Sequence, residues 1–209
     1  MRTGRVQKRH KPLIAIWRRV FREAGIPISD RNVERFMFRT HIRRGPNDRR
    51  RMDLVCAGVD GVYGGSPLFM DVTIISPLHG TGLPMSQSDD VDGRALETSA
   101  QTCRSRDYPD VQASPLAALL PLGVETYGRW GKDCLTLIRA LTRYKSKNFP
   151  VYLQRSIECS CYSRWWNLLS TTVQRIVYEP VVRENGSDLI DAAQTFSTPP
   201  VEELLDYAR

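Results

Sequence analysis

The sequence predicts an α/β domain with the element order α-β-β-β-α-β, a mixed central sheet and a helical extension at its C-terminal end. Three observations lead there. An arginine-rich stretch near the N-terminus carries apolar residues at helical spacing. Short runs of strand-forming residues follow, separated by glycine and proline turns. From Arg129 onward the pattern is helical again, with few breakers. At 209 residues, with 41% hydrophobic and 25% charged residues, the chain suits one globular domain with a sizeable core.

Each element has a local reason. Residues 11–24, KPLIAIWRRVFREA, set Leu13, Ile16, Trp17, Val20, Phe21 and Ala24 on one helical face, and Gly25 ends the helix. After the turn IPISD, the partly alternating, aromatic NVERFMF (32–38) reads as a strand. Gly45-Pro46-Asn47-Asp48 is a turn. MDLVCAGV (52–59) and PLFMDVTIISP (67–77) read as two strands of a hairpin across the glycine-rich DGVYGGS (60–66), and residues 79–92 form an exposed loop. GRALETSAQTCRSR (93–106) reads as a helix entered from Asp92 as N-cap and ended by Tyr108-Pro109. LAALLPLGVETYG (116–128) resembles a central strand interrupted by Pro121. Helices are expected over 130–145 and 151–179. The chain then divides into a core over residues 1–128, a helical extension over 129–182 packed on it, and a loosely ordered tail over 183–209.

Charge is distributed unevenly. Residues 1–51 carry 16 Lys+Arg against 4 Asp+Glu, whereas residues 52–209 carry 14 against 19. A basic N-terminal part favours a polyanion partner, with Arg18 and Arg22 on the helix and the run Arg49-Arg50-Arg51 as candidate phosphate contacts. No apolar stretch approaches the roughly 20 residues needed to cross a bilayer, so no membrane partner is expected. The five cysteines are odd in number and scattered, and Cys159-Ser160-Cys161 has the wrong gap for a zinc knuckle. Reduced, packing cysteines fit an intracellular and, given the basic N-terminus, nuclear protein.

Two aspartates interrupt apolar strand runs: Asp53 in RRMDLV and Asp71 in PLFMDVT. Burying a carboxylate costs several kcal/mol unless a partner compensates it. If the two strands pair across the glycine loop, both aspartates converge, and with a main-chain carbonyl such as that of Val72 they offer hard oxygen ligands suited to Mg²⁺ or Mn²⁺. The alternative partners are the arginines at 49–51. Glu34, on the expected first strand, is either an outer ligand or a partner of Arg31 or Arg35. Glu125 faces the same cleft or caps a turn. His10, in KRHK, reads as a DNA contact or, more commonly, as solvated surface. Trp165-Trp166 read as core and interface anchors rather than base-stacking platforms. Cys-His and Ser-His-Asp catalysis find no local signature.

Four stretches in this order, RRMDLV (50–55), PLFMDVTIISP (67–77), DGRALETSAQTCRSRDYP (92–109) and GVETYGRWG (123–131), resemble the PD-(D/E)XK nuclease core. More narrowly, they resemble the restriction-like endonuclease domain carried C-terminal to the reverse transcriptase of non-LTR retrotransposons. RWWNLLSTTVQ (164–174) is similar to the trailing helical segment of eukaryotic members, so that the resemblance spans about residues 10–178. It implies that Asp53 and Asp71 are the two acidic catalytic residues and hold the metal, with Glu34 a third acidic position. Thr73 stands where the wider pattern has lysine. The retrotransposon pattern K-x-x-K-Y falls on Arg104 to Tyr108, with Arg104 at the first lysine and Asp107 at the second. Arginine stays protonated, so Arg104 would act as an electrostatic clamp and not as a base. The resemblance implies a Mg²⁺- or Mn²⁺-dependent DNA endonuclease, with DNA, a reverse transcriptase domain or retroelement RNA as partners. Two alternatives stand beside it: a decayed nuclease fold that binds nucleic acid without cutting, and a structural domain whose helical half, with its Trp pair, docks on a larger partner.

Overall fold

A computed structural model describes residues 3–29, 52–58, 62–78, 83 and 93–185, with side chains described for 10–28, 52–58, 62–78, 83 and 93–179. The expected strand at 32–38, Glu34, the turn at 45–48, Arg49, Arg50, Arg51, nearly all of the 79–92 loop and the tail beyond residue 185 lie outside the described residues.

The first helix, α1, runs from Thr3 to Ala24. Leu13, Trp17, Val20, Phe21 and Ala24 are buried, as the helical period requires, while Arg22 is exposed. Gly25 ends the helix at φ +86°, a left-handed conformation that suits glycine. The segment expected as a turn holds a two-residue strand, β1 (Ile28–Ser29), because Ile28 pairs with Cys56 of the next strand.

The hairpin is present. β2 (Leu54–Cys56) pairs antiparallel with β3 (Leu68–Ile75), in the register Leu54↔Met70, Val55↔Phe69 and Cys56↔Leu68. The loop between them closes tightly: a Cβ on Gly58 would lie 1.5 Å from the carbonyl oxygen of Gly65. β4 (Ala118–Glu125) then pairs parallel to β3, opposing Asp71 to Pro121 and Thr73 to Gly123. The sheet is thus mixed, in the order β1-β2-β3-β4, and β4 is its edge among the described strands rather than a central strand. Pro121 has no N–H to donate, and an edge position tolerates that.

Between β3 and β4 the expected helix is split in three. α2 (Arg94–Thr102) passes into a π-helical turn at Cys103–Asp107, and a short α3 (Pro109–Ala113) follows. The Tyr108 N–H reaches back five residues to the Cys103 carbonyl at 2.9 Å. Gly93, in a left-handed conformation, precedes α2, and Asp92 lies outside the described residues. α4 (Lys132–Ser146) and the 35-residue α5 (Val151–Asn185) are the last described elements, each ending beyond the expected helix.

Alternation along the strands separates two layers. Leu54, Cys56, Leu68, Met70, Val72, Leu120, Leu122 and Val124 face the layer built by α1, α4 and α5. Val55, Phe69 and Leu119 face the other way, onto Cys103, Tyr108 and Val111. The molecule is α/β, with the sheet sandwiched between helices. Trp165 is fully buried, and the partly buried Trp166 packs edge-to-face on Trp130 at 5.4 Å, so the pair packs with the core. The described cysteines are free thiols, four of them buried. Among the described residues no helix is long and apolar enough to cross a membrane.

Candidate functional site

Both aspartates sit where β2 parts from β3. Continuing the register one residue past Leu54↔Met70 brings Asp53 across from Asp71. Beyond that point β3 keeps β4 on one edge, while on the other edge, among the described residues, β2 no longer pairs with it and side chains take over both main-chain groups of Val72. The Val72 N–H donates to Asp53 Oδ2 at 2.8 Å. The Val72 carbonyl accepts from His10 Nε2 at 2.8 Å, and the same nitrogen lies 2.9 Å from Asp53 Oδ2. A buried strand end left without such partners would be costly, so these contacts also hold the sheet together.

His10 therefore corrects the reading of it as solvated surface. Its side chain is about one-third exposed (32%) and is fixed between a carboxylate and a carbonyl. A carbonyl only accepts, so Nε2 carries the proton, whichever state Nδ1 is in. The hydrogen bond to Asp53 raises the pKa of His10 above its ordinary value, against the opposing pull of partial burial. Sequence spacing offered no signal, because 43 residues separate the pair.

Asp71 points to the opposite face of the sheet from Val72. Thr73 Oγ1 donates to its Oδ2 at 3.3 Å. Burial, and next the charge of Asp53, push its pKa up to about 6. Asp107 in the π-helical turn adds repulsion, while His10 and the Thr73 hydroxyl oppose it. Cys103 and Tyr108 cover this face. Burial first, and then the Asp71 charge, drive both pKa values up, so that both stay protonated at neutral pH. Cys103 is accordingly a packing residue and not a nucleophile.

The hydrogen bond of Arg104 goes to an acid other than the two strand aspartates. Its Nη2 donates to Asp133 Oδ2 at 2.6 Å, in the first turn of α4. Asp107, the partner that sequence proximity offered it, is bonded instead by Arg106 at 2.9 Å. The acid that sequence reading missed, Asp133, lies 29 residues away, next to a helix N-terminus where a negative charge is favoured. Thr73, Cys103 and Arg104 share the wall of a cavity of about 460 Å³ that also includes Trp130 and Lys132. Glu125, at the end of β4, is buried and serves the turn into α4: its N–H bonds the Arg129 carbonyl at 2.8 Å, and its carboxylate lies 3.9 Å from Arg129 Nε. Arg18 and Arg22 line one open groove with Gly25, Ile26, Pro27 and Ile28, away from the aspartates.

Two carboxylates and a main-chain carbonyl form a hard oxygen set of the kind that suits a divalent cation completed by water or phosphate oxygens. The raised pKa of Asp71 marks a buried carboxylate short of countercharge, which such an ion would supply. Against this, His10 Nε2 stands on two of the three ligand atoms. Among the described residues no three or more His, Cys, Asp and Glu side chains are grouped to hold a metal ion. The chain matches no protein-family model, no curated protein and no solved structure.

Proposed function

We propose that the chain is a metal-dependent DNA endonuclease domain of the PD-(D/E)XK type, related to the restriction-like nuclease domains of non-LTR retrotransposons. The observation that carries this reading is the placement of Asp53 across from Asp71, beside the Val72 carbonyl, at the point where β2 leaves β3. In that reading Asp53, Asp71 and the Val72 carbonyl hold Mg²⁺ or Mn²⁺. A bound divalent ion would supply an activated water and countercharge for a phosphodiester under attack. The protein's own contribution is to fix the two carboxylates on paired strands and to bind the DNA backbone. Arg18 and Arg22 of α1, together with Arg49, Arg50 and Arg51, provide phosphate contacts that do not depend on base sequence. Arg104, which donates to Asp133 through Nη2, is the electrostatic clamp of this reading. A reverse transcriptase domain or retroelement RNA as further partner, and a nuclear location, belong to the same proposal.

A second reading, a nuclease fold that binds DNA without cutting it, is favoured by His10 on the ligand atoms and by Arg104 held on Asp133. Incision of an end-labelled duplex, with and without Mg²⁺ or Mn²⁺, separates the two: retention on DNA without metal-dependent incision selects the second.

Replacing Arg49, Arg50 and Arg51 together with alanine is expected to weaken binding to all duplex sequences alike. The logarithmic salt dependence should become shallower, by about 0.9 for each phosphate no longer neutralised. Titrations between low and moderate salt check this, and an unchanged slope would reduce the run to a solvated turn.

A further inference from the structure

We propose that His10 is a built-in competitor for the cation seat, occupying the Asp53 and Val72 oxygens until a divalent ion displaces it. The inference rests on the reading of Asp53, Asp71 and Val72 as a cation site, and adds how that site is regulated.

The geometry is specific. One imidazole N–H spans Asp53 Oδ2 at 2.9 Å and the Val72 carbonyl oxygen at 2.8 Å. Bonds from Mg²⁺ to oxygen are about 2.0–2.1 Å long. An ion drawn to both oxygens from the side that the ring faces would therefore overlap Nε2. A protonated ring nitrogen has no lone pair for the ion, so in this state His10 excludes the ion and does not help to bind it.

The two arrangements differ by a side-chain movement. The backbone of α1 is anchored just beyond His10 by Leu13 and Trp17, both fully buried, so the helix is pinned to the sheet. The imidazole, one-third exposed, can turn outward without disturbing that packing. Val72 keeps its N–H bond to Asp53 when the ring leaves, so the seat does not fall apart. Divalent ion and imidazole thus compete for one place, and the N-terminal part of α1 is tied to the state of the site.

Mn²⁺ binding, followed by the loss of the free-ion electron paramagnetic resonance signal at one fixed pH, tests this on the full chain without reference to activity. His10→Ala is expected to bind Mn²⁺ about tenfold or more tightly than the parent protein, because the ion no longer has to displace a hydrogen-bonded ring. His10→Leu, which keeps apolar bulk in case alanine disturbs the helix, should give the same direction. Asp53→Asn should abolish binding in both backgrounds. An affinity in His10→Ala and His10→Leu equal to that of the parent, or weaker, overturns the proposal, the weaker value making His10 a ligand. If the parent binds Mn²⁺ through Asp53 and the His10 variants do not tighten it, this inference fails while the cation site stands. If neither parent nor variants bind Mn²⁺, the cation site fails and takes the inference with it.

Discussion

Glu23→Ala is expected to cost about 3–5 kcal/mol of stability. Glu23 Oε2 accepts from Arg164 Nε and from Trp165 Nε1, each at 2.9 Å. Oε1 accepts from Arg164 Nη2 at 3.0 Å and from Arg19 Nε at 2.9 Å. Burial pulls the Glu23 pKa up, yet the bonds from Arg164, Arg19 and Trp165 outweigh it and hold the carboxyl below its usual value. The Arg164 side chain is only 4% exposed, so removing Glu23 takes two hydrogen bonds from a buried guanidinium and one from the Trp165 indole N–H inside the α1–α5 contact. Because the Glu23 pKa is lowered, its contribution is present above the ordinary carboxylate range and disappears as pH falls through the lowered value. Urea unfolding near pH 7 and again near pH 3 checks both parts. A loss below 1 kcal/mol near neutrality would mean that this cluster is dispensable.

Asp71→Asn should act in the opposite direction and stabilise the metal-free protein. The Asp71 pKa is raised from 3.8 to about 6 by burial and by Asp53. A raised carboxylate favours the fold below its unfolded pKa and loses that contribution as pH climbs through the folded one. His10, also raised, adds a loss in the same direction at higher pH. The parent protein should therefore lose stability between about pH 4 and pH 7 on account of Asp71. At pH 8 the variant should be more stable by roughly 2–3 kcal/mol, since each pKa unit is worth about 1.4 kcal/mol. Near pH 4 the difference should shrink toward zero. Melting curves at the two pH values read this directly. Mn²⁺ should raise the melting temperature of the parent by mass action and leave Asp71→Asn unmoved. A variant no more stable than the parent at pH 8 would contradict the crowding of Asp53 and Asp71.

What could be read from the sequence followed local periodicity. Leu13, Trp17, Val20, Phe21 and Ala24 recur at helical spacing on one face and are all buried. The glycines between two apolar runs marked the β2–β3 hairpin, and the hairpin placed Asp53 beside Asp71. Three features escaped because they depend on tertiary packing. His10 reaches Val72 across 62 residues, once α1 lies on the sheet. Arg104 had an acid three residues away and chose another 29 residues away, because the π-helical turn at Cys103–Asp107 redirects it toward α4. Pro121 sits in an apolar run that read as a central strand, whereas the missing N–H belongs at an edge. The fold class and the carboxylate pair were local matters, and the partners of His10 and Arg104 were not.

Nicking of supercoiled plasmid, with the parent protein and Asp71→Ala compared at equal concentration in Mg²⁺, Mn²⁺ or chelator, bears most directly on the proposed chemistry. A metal-dependent nuclease built on Asp53 and Asp71 should convert supercoiled to open-circular DNA only with the divalent ion. Asp71→Ala should retain the fold and DNA binding yet lose that conversion by orders of magnitude. Nicking that persists in the variant or in chelator, or a folded, DNA-binding parent that never nicks, would contradict it.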